Sequence, residues 1–194
     1  MALIRLVDKD EVPTEVRAVF ESGEQKYGKI LNTWRAIAHN PAIFRAYLPF
    51  LMAVFAPGAL DQRIKEISAV RVGILNHCRY TVSHRVNSSR NQGISDKDLI
   101  GLLNPAQHNF SPAEQAAMDF TDELTTQVDD VSYVENPQGV KAETLQRLKA
   151  HFSDAEISEL ALSVSLWNAL ARFHRVMDFE LDMPVPPAEI DTAL

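Results

Sequence analysis

Signals that begin α-helices recur along the whole sequence, and they constrain the fold more than any other feature. Asn40-Pro41 combines a favourable N-cap residue with a proline at the first helical position. Ser111 and Ser153 each precede a glutamate by three residues, which is the spacing of a capping box. The sequence contains no Asn-Gly or Asp-Gly dipeptide of the kind that closes a β-hairpin. These features predict an all-α, multi-helical fold with seven to nine helices.

The apolar pattern also predicts how the chain is organised. It places two helices, near residues 62–76 and 154–173, at the centre of the fold. Residues 1–183 are long enough for one domain with a substantial core. Residues 184–194 contain three prolines and are predicted to form an extended or disordered tail. The acidic segment 129–139 is the best candidate for a long loop.

The charge and the cysteine content exclude several classes of function. The 194 residues include 26 Asp and Glu against 19 Lys and Arg, a net charge of −7, which argues against a general nucleic-acid or anionic-membrane partner. The longest uncharged apolar run, Leu160–Ala171, is too short to span a bilayer. Cys78 is the single cysteine, so the chain can form no intramolecular disulfide and no multi-cysteine metal site. We therefore predict a cytoplasmic protein that uses no metal ion and no cofactor.

The side chains suited to chemistry concentrate between residues 66 and 85. A helix break at Asn76 places Cys78 in the first turn of the next helix, where the helix N-terminus stabilises a thiolate. Glu66 and His77 are about 16 Å apart along one straight helix. Glu66 therefore reaches Cys78 only if a neighbouring helix folds back or a second subunit supplies the partner.

The same segment resembles the carboxymuconolactone decarboxylase and alkylhydroperoxidase D-like superfamily, in which a glutamate stands twelve residues before the first motif cysteine. Glu66 and Cys78 have this spacing, and residues 93–96 (Gly-Ile-Ser-Asp) match the end of the motif. The segments around Trp34 and Trp167 resemble the longer, peroxidase-related members, so the resemblance covers most of the chain. It implies an alkylhydroperoxidase D-like domain that assembles as a homo-oligomer, a trimer or a hexamer with sites near the subunit contacts.

Two positions depart from the family motif. Thr81 stands where the hydroperoxidase branch has its second cysteine, and a hydroxyl cannot form a disulfide with Cys78, which excludes the dithiol peroxidase cycle. Arg85 stands where the family has its histidine. His84 lies one residue earlier, about 100° around the helix, and is predicted to point elsewhere unless the helix is distorted.

The residues and the resemblance together predict a small-molecule enzyme of the decarboxylase type. Glu66 and His84 would shuttle protons, and Arg85 would bind a small anionic carboxylic acid or lactone. Tyr80 either donates a hydrogen bond to an oxyanion or packs in the core. The predicted catalytic residues are Glu66, Cys78 and His84, and the predicted substrate-binding residues are Tyr80, Thr81 and Arg85.

Other functions remain open. In a one-cysteine peroxidase, Cys78 would be oxidised to a sulfenic acid and reduced by an external thiol. A non-catalytic oligomeric family member is also compatible with the two substitutions. A helix-turn-helix module is rejected because residues 95–103 carry one cation, Lys97, against Asp96 and Asp98. The segment 62–97 holds seven Lys and Arg against two acidic residues, which favours an anionic small molecule as the partner.

Overall fold

The computed structural model describes residues 2–126, 132–134 and 136–194. Within these residues it contains ten α-helices, two short 3₁₀ turns and no β-strand, which confirms the all-α prediction. The count exceeds the predicted seven to nine because α2 and α10 are six-residue helices without a side-chain cap, so no signal marks them. The helices are α1 Thr14–Tyr27, α2 Asn32–Ile37, α3 Pro41–Phe55, α4 Gln62–Leu75, α5 Arg79–Asn91, α6 Asp96–Gly101, α7 Pro112–Thr125, α8 Ala142–His151, α9 Asp154–Met177 and α10 Ala188–Ala193.

The helix-start signals act as the sequence predicts. The Asn40 side chain accepts hydrogen bonds from the backbone N–H groups of residues 42 and 43 at the start of α3. Ser111 begins α7 and Ser153 begins α9, each in a reciprocal capping box with the glutamate three residues later. Loss of one such N-cap typically costs about 1 kcal/mol of stability. Local chemistry therefore fixes where three of the longer helices begin.

Helices α4 and α9 lie at the centre, as the apolar pattern predicts. Helix α4 packs against α5, α7 and α9, and every residue from 64 to 74 is buried. The main core includes Ile67 and Val70 of α4 and Leu160 and Val164 of α9. None of the helices in the described part of the chain is long and apolar enough to cross a membrane.

The C-terminal segment differs from the prediction of an extended or disordered tail. Residues 188–193 form α10, and Ile190 is fully buried in the main core. Asp191 accepts two hydrogen bonds from Arg79 at the start of α5. The prolines end at position 187, so they do not prevent this helix, and burial of Ile190 stabilises it. The division into a domain and a tail remains a prediction. Of the predicted acidic loop 129–139, residues 129–131 and 135 lie outside the described residues.

A close approach between α4 and α5 shapes the site described below. Cys78 is the N-cap residue of α5, which confirms the predicted helix break, and His77 has a positive φ of 49° in the turn. A Cβ atom on Gly73 would lie 2.9 Å from a methyl group of Val82 and 3.3 Å from the Val82 backbone nitrogen. The absence of a side chain at Gly73 therefore lets α5 fold back tightly against α4.

Replacement of Gly73 by alanine is expected to destabilise the protein. The added methyl group overpacks the contact with Val82, which typically costs about 1–3 kcal/mol and outweighs the better helix propensity of alanine. Thermal or urea unfolding measures the effect. The exposed Ser158→Ala on α9 is the matched control and is expected to change stability by less than about 0.5 kcal/mol. Equal stability of Gly73→Ala and the wild type would contradict the close approach.

Candidate functional site

A cavity of about 240 Å³ lies between α1, α2 and α3 on one side and α5 and α9 on the other. Nine of the fifteen residues in its wall are aromatic or aliphatic, and six are polar. Such a lining is typical of small-molecule sites. The aromatic residues are Tyr27, Trp34, Tyr47, Phe55 and Trp167, and the polar ones are Lys26, Thr33, His84, Arg85, Ser88 and His174.

Two of the six predicted site residues, His84 and Arg85, line this cavity. The other four are buried behind its wall in two groups. Glu66 is fully buried next to Arg85, and the buried residues Cys78, Tyr80 and Thr81 lie on the side of His174. The structure does not place Glu66 in contact with Cys78.

Arg85 and Glu66 form a buried ion pair. Arg85 Nη2 donates a hydrogen bond to Glu66 Oε2 at 2.5 Å. The Glu66 carboxylate also accepts from the Ser88 hydroxyl at 2.8 Å and the Ser89 hydroxyl at 3.2 Å. Burial lowers the pKa of Arg85, and the Glu66 charge opposes that shift. Since arginine stays protonated in proteins, the pair consists of a guanidinium and a carboxylate.

Two aromatic rings enclose the Arg85 guanidinium. Its central carbon lies 4.0 Å from the centroid of Phe55 and 4.5 Å from that of Trp167, both cation–π distances. Among the described residues, Arg85 Nε and Trp167 Nε1 are buried without a hydrogen-bond partner. Buried donors usually have a partner. Both residues line the cavity, and these two N–H groups lie buried within its wall.

His84 is paired with a buried carboxylate. Its Nε2 atom forms a short hydrogen bond to Asp182 Oδ1, and Asp182 is 6% exposed. Asp182 Oδ2 accepts from the Tyr80 hydroxyl at 2.6 Å and from the Asn32 backbone N–H at 2.7 Å. Burial acts to raise the pKa of Asp182, but its hydrogen bonds with His84, Tyr80 and Asn32 hold that pKa below the usual value. Asp182 is therefore a carboxylate, and Nδ1 is the ring nitrogen of His84 left for a bound molecule.

A line of hydrogen bonds continues from Tyr80 to Cys78. The Thr33 hydroxyl lies 3.2 Å from the Tyr80 oxygen and 3.0 Å from His174 Nε2. His174 Nδ1 lies 2.8 Å from the Thr81 hydroxyl, which is 3.1 Å from Cys78 Sγ. Every member of this line is at most 4% exposed. Burial raises the pKa of Tyr80, with a further contribution from the Asp182 charge, so the phenol stays neutral.

The two imidazoles of the cavity differ in their surroundings. Burial, together with the repulsion from His84, lowers the pKa of His174 to about 3, so this ring is neutral at physiological pH. Both His174 nitrogens are also engaged by threonine hydroxyls. His84 has 16% of its side chain exposed and carries one nitrogen toward the carboxylate of Asp182. Of the two rings, His84 is the one arranged to exchange a proton with a ligand.

The neutral state of His174 predicts a specific dependence of stability on pH. An unfolded histidine titrates near 6.5, so its unfolded form gains a proton as the pH falls below about 6.5 while folded His174 stays neutral down to about 3. The stability contributed by His174 is therefore fully present above pH 6.5. It is lost between about pH 6.5 and 3, with a slope of up to about 1.4 kcal/mol per pH unit.

His174→Gln is expected to remove this slope as well as part of the stability. Urea unfolding at pH 7, 6 and 5 measures the free energy of unfolding for both proteins. The exposed His151→Gln on α8 is the matched control for loss of an imidazole. If the free-energy difference between wild type and His174→Gln stayed the same at all three pH values, His174 would not be held neutral by the fold.

The cations of segment 62–97 do not converge on the cavity. Six of the seven form an ion pair with a carboxylate, and one of these, Arg85, lines the cavity. The excess of cations in this segment therefore does not form a basic surface around the cavity, because acidic residues from elsewhere in the chain neutralise most of it. An anionic small molecule as the partner stays a prediction. The pairs are Arg63 with Asp98 and Glu114, Lys65 with Glu159, Arg71 with Asp122, Arg79 with Asp191, Arg85 with Glu66, and Arg90 with Asp96.

No group of three or more His, Cys, Asp or Glu side chains suited to a metal ion occurs in the described ranges of the chain.

Three residues of the site, Thr33, His174 and Asp182, have no predicted role in the sequence. They lie far from the motif in the chain, and only the position of His174 on the late apolar helix was a signal. The Glu66–Arg85 pair did have a signal in the sequence. The predicted helix break at Asn76 is nearly equidistant from both residues, so a helix that folds back there brings them to the same level.

Comparison with known proteins supports the resemblance seen in the sequence. Residues 41–123 match the carboxymuconolactone decarboxylase family. This is the family that the Glu66–Cys78 motif resembles, and the match covers less than half of the chain. The chain is 31% identical over 58 residues to "uncharacterized protein 4 in cox locus" of Paracoccus denitrificans, which is 30% of this chain and 52% of that protein. The match thus spans about half the length of this curated relative.

Solved structures share the fold over nearly the whole chain. An uncharacterized peroxidase-related protein from Ralstonia eutropha JMP134, with an alkylhydroperoxidase AhpD core, has a TM-score of 0.79 at 18% identity and covers 98% of this chain and 94% of its own. A peroxidase-related protein from Silicibacter sp. TM1040 has the same TM-score and coverage at 20% identity. The debrominase Bmp8 also reaches 0.79, at 19% identity, with 99% and 98% covered. At these identities the likeness establishes the fold alone.

Proposed function

We propose that this protein is a proton-transfer enzyme, of the decarboxylase type, that acts on a small carboxylic acid or lactone bound in the aromatic cavity. One observation carries the proposal. The neighbouring residues His84 and Arg85 both reach the cavity, and each is backed by a buried carboxylate, Asp182 for His84 and Glu66 for Arg85. A base and a cation beside one small cavity are the minimum equipment for stabilising a carbanion.

The proposed reaction divides the work between these two residues. His84 Nδ1 accepts a proton from carbon, or returns one to carbon after carbon dioxide leaves, and Asp182 stabilises the imidazolium form. The electron pair left on carbon delocalises into a neighbouring carbonyl group. The negative charge that develops on that oxygen faces Arg85, whose guanidinium is held by Glu66 and contacts the rings of Phe55 and Trp167, so it needs no reorganisation.

Glu66 takes a different part in this proposal from the acid/base role predicted from the motif. It is fully buried, and its hydrogen bonds go to Arg85, Ser88 and Ser89. Of these, Arg85 and Ser88 line the cavity. Glu66 thus acts through them, as the counter-ion that holds the Arg85 guanidinium in place.

A one-cysteine peroxidase is the second candidate, and its basis is the single cysteine at the family position. Cys78 is 2% exposed and is not among the residues that line the cavity. A hydroperoxide would need direct access to the sulfur. A cysteine-to-alanine variant of the debrominase Bmp8 has been crystallised with 2,3,4-tribromopyrrole, and that fold match supports a small ring compound as the ligand here. Burial of Cys78 favours proton transfer over thiol chemistry.

Deuterium incorporation tests the proposed reaction. The protein is incubated in D₂O with a panel of small unsaturated carboxylic acids and lactones, and ¹H NMR follows exchange at carbon and loss of the carboxyl group. We expect turnover of at least one compound and a loss of about 10²- to 10⁴-fold in His84→Gln, the usual contribution of a general base. His151→Gln is the control and is expected to match the wild type. Equal rates for His84→Gln and wild type would overturn the assignment of His84.

Thiol reactivity separates the two candidate functions. With Cys78 buried, we expect a thiol reagent such as DTNB to label the denatured protein rapidly and the native protein slowly, at a rate limited by opening of the fold. Treatment of the native protein with tert-butyl hydroperoxide and dimedone is expected to give no adduct detectable by mass spectrometry. A stoichiometric sulfenic-acid adduct would instead favour the peroxidase.

A further inference from the structure

We propose that Asp182, Tyr80, Thr33 and His174 are positioning residues that fix His84 with its Nδ1 atom toward the cavity, through a hydrogen-bonded chain in which every proton points the same way. This inference rests on the proposed function for the catalytic role of His84. The orientation of the chain itself follows from counting protons. The chain joins three distant parts of the sequence: α2, the start of α5, and the segment from α9 to residue 182.

The count begins at Asp182, which can only accept. Tyr80 has one hydroxyl proton, and a carboxylate partner at 2.6 Å requires that proton. The Tyr80 oxygen therefore accepts from Thr33, whose backbone N–H lies 3.3 Å away and whose hydroxyl lies 3.2 Å away. Because the Thr33 hydroxyl has used its proton, it accepts from His174 Nε2, 3.0 Å away. His174 is thus the Nε2–H tautomer.

The rest of the chain follows from the tautomer of His174. Its Nδ1 atom has no proton, because the ring is neutral, and it accepts from the Thr81 hydroxyl at 2.8 Å. The Thr81 oxygen and Cys78 Sγ are 3.1 Å apart, and either group can donate. In the proposed orientation the Thr81 hydroxyl proton goes to His174, so the Cys78 thiol is the donor to Thr81 Oγ1, while its sulfur accepts from the Thr81 backbone N–H at 3.5 Å. The chain therefore runs from a thiol at one end to a carboxylate at the other.

The opposite direction is strongly disfavoured. Reversal of every bond would leave Cys78 as a thiolate and Asp182 as a neutral acid, which separates a buried negative charge from the His84 ring. Burial of an ionised group without a charged partner is costly. Reversal of the bonds from Thr33 to Cys78 alone would move no charge, because the Thr33 backbone N–H can be the donor to Tyr80. Donation of the Thr33 hydroxyl to Tyr80 selects the proposed orientation, and the tautomer of His174 tests it. In either case the chain ends at Asp182, an anion that accepts Nε2–H of His84. It orients the site and does not need to carry protons through it.

This orientation also gives a reason for threonine at position 81. A hydroxyl there accepts from Cys78 and donates to His174, at distances of 3.1 and 2.8 Å. The ring of Tyr80 adds packing to the hydrogen bonds, since its centroid lies 4.4 Å from that of His84 and 4.9 Å from that of His174. Both cavity imidazoles are therefore positioned by one buried phenol.

Long-range ¹H–¹⁵N NMR of the ¹⁵N-labelled protein tests the inference, because it distinguishes Nε2–H, Nδ1–H and imidazolium rings. His84→Gln and His174→Gln spectra assign the two signals. We expect His174 as the neutral Nε2–H form between pH 5 and 8, and neutral His84 as Nε2–H. In Asp182→Asn the amide can donate to Nε2, so we expect His84 to change to Nδ1–H. Proton-transfer turnover should then fall by about 10³- to 10⁴-fold in kcat with little change in KM, by analogy with the effect of a wrong tautomer in serine proteases.

Tyr80→Phe is a second variant, with circular dichroism as the check that each variant folds. It keeps the ring packing and removes the phenol bond, and we expect His84 to remain Nε2–H while His174 becomes a mixture of tautomers. His39→Gln, outside the cavity wall, is the control and is expected to leave both signals unchanged. Nδ1–H for His84 in the wild type, or an unchanged tautomer in Asp182→Asn, would overturn the inference. The expected tautomers with no turnover of any panel compound would overturn the proposed function and leave the chain's orientation supported.

Discussion

The buried ion pair between Glu66 on α4 and Arg85 on α5 is the interaction on which the site depends. Two opposite charges removed from water must satisfy each other, and removal of one partner from such a pair typically costs about 3–5 kcal/mol. Here the pair joins two helices whose close packing depends on Gly73. It also sets where the guanidinium can lie, with one nitrogen on Glu66 and its central carbon in the corner formed by the nearly perpendicular rings of Phe55 and Trp167. The guanidinium is thus held in place by contacts within the protein, and a ligand would meet a preorganised cation.

The two residues that depart from the family motif, Thr81 and Arg85, each form a buried set of contacts of their own. Glu66, at the position of the family glutamate, is the counter-ion of Arg85 and does not line the cavity. Thr81 makes the position of a second cysteine part of a hydrogen-bonded chain that ends at Asp182. Compared with the motif alone, each substitution removes a reactive group. In the fold, each supports a neighbouring residue that does reach the cavity, Arg85 itself or His84.

The sequence predicted the parts of this structure that local chemistry decides. Caps at Asn40, Ser111 and Ser153 and the break before Cys78 are properties of a few adjacent residues, and all are confirmed. The burial of Ile190 in α10 was not predictable in this way, because it comes from contact with a core assembled elsewhere in the chain. The same holds for the site. The sequence predicted several of its residues, and it did not predict which of them contact one another.

The position of His84 illustrates why pairing exceeds what a motif can predict. One residue of offset along α5 rotates a side chain by about 100°, so His84 cannot replace the family histidine at position 85 as a partner for Glu66. That rotation instead turns it toward Asp182, a residue 98 positions away that no helix periodicity connects to it.

Net charge is likewise a poor guide to what the cavity binds. The chain carries −7 overall, and the local excess of cations is cancelled by carboxylates brought in from other helices. The anion binding that we propose for this site would then depend on the position and the desolvation of Arg85, since a guanidinium in a low-dielectric cavity interacts more strongly than an exposed one. The proton-accepting face of His84 lies in the same cavity. A small, flat, conjugated acid fits that combination better than a polyanion attracted by surface charge.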